Sequence, residues 1–159
     1  DQYTWLEAEL AKSTRTWNFV VHHHPPYSSE ENDFGDVHVE QSTFGDPDLK
    51  DLIHLYEKYG VDIVFYGHIH TYERTWPLLQ NRIDQKRGVI YINTGGAGGG
   101  LEKAAPNRVW FTQKVRTTHH FCYVTVHGNT LNFQAIDENG QLFDQFYIEK
   151  RGKKEVFYT

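Results

Sequence analysis

The sequence predicts a mixed α/β fold, with parallel strands and helices in the first hundred residues and an antiparallel meander after them. Three observations predict it. Leu49, Leu52, Ile53 and Tyr56 recur at i, i+3, i+4 and i+7, the apolar stripe of an amphipathic helix. Residues 61–66 (VDIVFY) come next as a nearly continuous apolar run, which fits a strand covered on both faces. Residues 121–126, 131–136 and 142–148 are three strand-like runs joined by His127-Gly128-Asn129 and Asp137-Glu138-Asn139-Gly140. Those turns carry the Asn and Gly that tight hairpins use.

Each element has a local reason. Thr4 and Glu7 stand at the spacing of a capping box, so a short helix is expected to start at Thr4. Trp5, Leu6, Leu10 and Ala11 then form its buried stripe, and it ends near Lys12. Residues 17–21 are a strand. Residues 24–45 are a long polar loop with two prolines, of the kind that forms a functional rim. Asp46 as N-cap and Pro47 at the first helical position open the amphipathic helix, and Gly60 closes it. Residues 89–93 (VIYIN) are a further strand, followed by a glycine-rich loop over 94–100. That loop lacks the GxxxxGK[ST] pattern of a phosphate cradle, so a close approach of backbone is the better reading. The organisation expected is one domain, with residues 1–100 and 101–150 as its two parts and a loosely held basic tail over 151–159.

Composition excludes several classes. The chain has 159 residues, enough for one domain with a real core. Sixteen basic against twenty-one acidic residues leave a net charge of −5, which is no footprint for nucleic acid. No apolar run approaches the roughly 20 residues that cross a bilayer. The single cysteine, Cys122, excludes an internal disulfide and sits in an apolar run (FCYV) as a core filler. The chain contains no Met and opens in mid-fold, as a processed or truncated piece would.

Ten histidines are many for this length, and three stand where chemistry collects. Val20-Val21-His22-His23 ends one strand, and Gly67-His68-Ile69-His70 comes directly after another. In sheets of this kind ligands gather at the carboxyl ends of strands, so His23, His68 and His70 suggest a metal site. Any one of them could be an ordinary loop histidine; the joint pattern carries the reading.

These strings also carry a resemblance. Val20-Val21-His22-His23 resembles the V-x-x-H motif, and Gly67-His68-Ile69-His70 the G-H-x-H motif, of the calcineurin-like metallophosphoesterases. The longer strings at 20–29 (VVHHHPPYSS) and 67–75 (GHIHTYERT) look most like the purple acid phosphatases, and the likeness runs from about Tyr3 to about Lys150. It implies two metal ions about 3.5–4 Å apart, iron paired with zinc, manganese or iron. His23 and His68 would bind one and His70 the other. It also implies a phosphomonoester substrate attacked in line by a metal-bound hydroxide, and a secreted or periplasmic location. His24 stands where the family often has a second histidine facing the substrate. His38, on the long loop, is either the imidazole that contacts the phosphoryl oxygen or protonates the leaving alkoxide, or a solvated loop residue. Tyr72, Glu73 and Arg74 read as support for the histidine loop through an Arg–Glu pair.

The family's remaining ligands do not occur in this sequence. There is no strand-borne Asp of the family type, no GDxxY and no GNH: Gly35-Asp36 and Gly45-Asp46 lack the Tyr, and Gly128-Asn129 is followed by Thr130. In the family these lie upstream of V-x-x-H. The resemblance therefore implies the C-terminal half of a four-layer α/β/β/α sandwich, with the missing N-terminal half of the catalytic domain as its partner and an open edge where that half would pack. Alone, such a chain should bind divalent metal weakly and turn over little substrate. A phosphodiesterase or nucleotidase of the same superfamily, or a non-catalytic remnant, are the alternatives.

Overall fold

A computed structural model describes residues 1–30, 44–104 and 109–150, together with the backbone of 154–158. Two sheets carry the fold. The first has five strands in the order β1-β2-β6-β3-β7: β1 (Phe19–Val21), β2 (Ile63–Tyr66), β6 (Ile90–Thr94), β3 (Tyr72–Thr75) and β7 (Thr112–Arg116). β1, β2 and β6 are parallel, and β3 and β7 add antiparallel to them. The second sheet is an antiparallel meander of β8 (His120–His127), β9 (Thr130–Asp137), β10 (Leu142–Lys150) and β11 (Lys154–Tyr158). A short hairpin, β4 (Leu78–Leu79) with β5 (Arg82–Ile83), stands apart.

Alternation along the strands divides the core in two. Val64 and Tyr66 of β2 and Tyr91 of β6 face the helices α1 (Gln2–Lys12) and α2 (Lys50–Lys58), where they meet Ile53, Tyr56, Leu6 and Leu10. Ile63, Ile90 and Ile92 point the other way, onto Leu131, Phe133, Ala135, Phe146 and Ile148 of the second sheet. Successive side chains on a strand take opposite faces, so nearly continuous apolar strands belong between two packed layers. The described residues thus build three layers, helix, sheet and sheet, of the sandwich the sequence predicts.

Several local expectations change. α1 is capped by Asp1, whose side chain accepts from the Thr4 amide at 2.8 Å, and not by a Thr4–Glu7 box. With the helix starting earlier, Glu7 turns outward to Lys58 at 2.8 Å and the Tyr59 hydroxyl at 3.2 Å. Trp5, expected in the buried stripe, is 64% exposed; Leu6 and Leu10 alone reach the core. Within the stretch expected as a loosely held tail, Lys154–Tyr158 form β11, paired with β10 from Phe146↔Tyr158 to Lys150↔Lys154. Cys122 is half-buried: its thiol donates to Thr94 Oγ1 at 3.4 Å, and burial pushes its pKa up to about 11.

The Arg–Glu pair expected on β3 does not form, because neighbours on a strand face opposite ways. Arg74 instead makes a two-pronged contact with Asp144 of β10, 2.7 Å from Nε and 2.8 Å from Nη2, and the Tyr72 hydroxyl donates to the same carboxylate. Glu73 points to the other side, accepting from the Thr112 hydroxyl at 2.6 Å and the Ser29 amide at 2.9 Å. Burial holds Glu73 above the ordinary carboxylate range.

Candidate metal centre

β1 and β2 run side by side in register, Phe19↔Ile63 to Val21↔Phe65, so the residues leaving each strand emerge at the same end of the sheet. The Gly67 amide donates to the His23 carbonyl at 3.1 Å, extending that pairing past the strand ends. His23 Nε2 and His68 Nδ1 lie 3.2 Å apart. His68 has φ +70, a left-handed conformation uncommon outside glycine, and strain of that kind gathers where a side chain must be aimed.

His24 joins the pair. Its ring centroid is 4.8 Å from that of His68 and 5.4 Å from that of His23. The three residues can each offer a ligand atom within 4.8 Å of the others. Asp46 stands behind His24, its Oδ2 accepting from Nδ1 at 2.6 Å. The same carboxylate caps the short 3-10 helix Pro47–Leu49 through the Asp48 amide at 2.9 Å, and the Asp46 amide donates to the Pro25 carbonyl at 2.8 Å. Asp46 is thus held by two further contacts while it orients the imidazole.

His70 stands outside this group of three. Its Nδ1 donates to the Gly100 carbonyl at 2.8 Å, and its amide to Glu102 Oε2 at 3.1 Å. The glycine loop after β6 is shaped to this neighbourhood. A Cβ on Gly99 would come within 2.6–2.9 Å of the His70 ring, and one on Gly95 within 2.1 Å of the Ile69 carbonyl. The close backbone approach expected for that loop is present.

The remaining histidines have other surroundings. His22 is stacked between Tyr56 and Tyr66 at 6.1 and 6.3 Å, and burial depresses its basicity. His120, lowered likewise by burial, meets Thr118 and Thr94 behind the glycine loop. His38 lies outside the described residues. Sequence reasoning took Asp46 only as a helix cap and passed over Glu102. Each meets its histidine only through the fold, 22 and 32 residues away in sequence, so no local pattern marks them.

Three imidazoles of which one gives its other nitrogen to a carboxylate are a donor set suited to zinc, iron or manganese, so the residues present fit a metal ion. Among the described residues no helix is long and apolar enough to cross a membrane.

Comparison with known proteins agrees with this fold. Residues 1–72 match the calcineurin-like phosphoesterase family. Over 92% of its length the chain is 30% identical to acid phosphatase type 7 of Mus musculus, covering 38% of that protein. Over 94% of its length it is 31% identical to probable inactive purple acid phosphatase 1 of Arabidopsis thaliana, covering 26% of it. The structure of a purple acid phosphatase from yellow lupin seeds superposes with a TM-score of 0.81 at 30% identity, over 94% of this chain and 28% of that one. The chain therefore spans well under half the length of the curated relatives it matches. The chain is thus similar to the calcineurin-like phosphoesterases, with purple acid phosphatases among its relatives.

Proposed function

We propose that this chain carries part of the metal centre of a phosphomonoesterase of the acid-phosphatase type, with His23 and His68 at one metal ion and His70 at a second. The observation that carries the reading is the convergence of His23 and His68 at the carboxyl ends of two parallel strands, beside a loop that presents His70. Two ions, iron with zinc, manganese or iron, would polarise a phosphoryl oxygen and activate a water at neutral pH. The chain's own residues hold the imidazoles in place: Gly100 and Glu102 fix the His70 ring and its backbone, and the left-handed turn at His68 aims its ring at His23. His38 is the proposed contact to the phosphoryl group or the leaving alkoxide. A secreted or periplasmic setting accompanies this reading.

Bridging carboxylates and further ligands would come from the other half of the catalytic domain. β1 supports this, as an edge strand of the five-stranded sheet with Val21 75% exposed. Beside it runs a groove of about 620 Å³ lined by Trp5, Leu6, Phe19, Val21 and Tyr56. An uncovered, apolar edge of this kind is a template for further strands. A non-catalytic role is the second reading, favoured by relatives named as probable inactive purple acid phosphatases. The test is p-nitrophenyl phosphate turnover by a longer chain or a complex that supplies the missing ligands. Turnover abolished by His68→Ala and retained in His127→Ala, at the last residue of β8, is the expected result. No turnover with both metals bound would leave the non-catalytic reading standing.

A further inference from the structure

We infer that this chain, as it stands, is a one-metal binding module in which His24 is the third ligand, with His23 and His68, and Asp46 is the residue that holds it there. Counting ligands by motif gives two imidazoles at this position, too few for a firm site. The structure supplies a third nitrogen donor within 4.8 Å of the others. Three imidazoles with an open position are a sufficient protein contribution to a four-coordinate divalent ion.

Two independent features point to ligation by His24. The first is the Asp46 contact at 2.6 Å to Nδ1, which fixes the tautomer and directs Nε2 as the coordinating atom. The second is the arrangement of the rings. His24 lies nearer to His68, at 4.8 Å, than His23 does, at 5.1 Å, and the three planes are mutually inclined, by 42° to 84°, so the rings are not stacked face to face. A histidine that faced substrate only would not need to sit closer to a ligand than the other ligand does. The inference rests on the metal-binding part of the proposed function and not on hydrolysis. The cation class is a first-row divalent ion that accepts imidazole, zinc and cobalt being the practical probes.

The experiment is a calorimetric titration of the metal-free 159-residue chain with Zn²⁺, repeated with Co²⁺ while monitoring visible absorption. One tight equivalent is expected, in place of the weak binding that the two motif ligands alone would give, with a Co²⁺ spectrum of low-coordinate nitrogen ligation. His24→Ala should weaken binding by more than the roughly 10- to 100-fold that loss of a partner behind a ligand costs, and should abolish the low-coordinate spectrum. Asp46→Asn, which keeps the helix cap but removes the charge, should weaken binding by about 10-fold. His127→Ala should change nothing. Thermal unfolding of each metal-free variant controls for folding; if His24→Ala is unfolded, His24→Gln takes its place. An affinity unaltered by the His24 substitution overturns the inference, as does a set of weak equal sites that His127→Ala reduces equally. Because no substrate is present, a chain that binds as described but never supports turnover contradicts the hydrolase reading alone.

Discussion

His68 and Arg74 show the two ways a single residue is constrained here. His68 accepts a left-handed backbone, a cost on the order of 1–3 kcal/mol that the surrounding fold must offset. Arg74 is 1% exposed and bonded to Asp144 through two nitrogens. Such a pair contributes little relative to an apolar replacement, but breaking it strands a buried charge. Arg74→Ala should therefore lower stability by about 3–5 kcal/mol, read from urea unfolding, and a loss below about 1 kcal/mol would contradict the packing described. Glu73 gives a second test. Its folded pKa is raised by burial, so the folded state binds more protons than the unfolded one. Stability from this group is full below the ordinary glutamate value and declines as pH rises through the window above it. Glu73→Gln should flatten that decline in a series of unfolding curves between about pH 4 and 8; an unchanged slope would count against a buried carboxylate. At this scale the sequence discloses residue types that end strands, such as His23 and His68, but not the partners Asp46 and Asp144 that fix their neighbours.

Elements are legible where the apolar period is strong. α2, β2, β6 and the meander all arise from patterns of roughly 3.6 or 2, and their ends fall within a few residues of expectation. The illegible elements depend on tertiary pairing. β3 contains Glu73 and Arg74 and reads as polar, yet all four of its residues are buried because Arg74 meets Asp144 of the second sheet and Glu73 meets Thr112 and Ser29. β7 (TQKVR) is similarly polar and, among the described residues, pairs only with β3. The β4–β5 hairpin turns on Gln80 and Asn81 at φ +51 and +56, without the glycine that normally marks such a turn. The glycine loop after β6 lies between these cases: its composition flags it, but only the structure shows which backbone it meets. Gly95→Ala would drive a Cβ to 2.1 Å from the Ile69 carbonyl. Backbone must then move, so the substitution should destabilise by roughly 2 kcal/mol or more and weaken any metal held through His70. A variant as stable as the parent, measured by thermal unfolding, would show that the loop yields freely.

At the scale of the molecule, the two cores leave two apolar surfaces exposed among the described residues. One is the β1 edge with its apolar groove, on the side where His22, Tyr56 and α1 meet. The other is the outer face of the second sheet, where Phe121 and Tyr123 are 55% and 54% exposed. Taken together, a cluster of imidazoles at the end of the β1 edge supports the proposal that this chain carries half of a metal centre. That central claim is tested most directly by the metal content and p-nitrophenyl phosphate turnover of the 159-residue chain alone, after equilibration with Fe²⁺, Zn²⁺ or Mn²⁺ and dialysis. The account predicts one retained metal per chain and no enzyme-like turnover. Two tightly held metals with rapid hydrolysis would show that the site is complete within these residues, contradicting it.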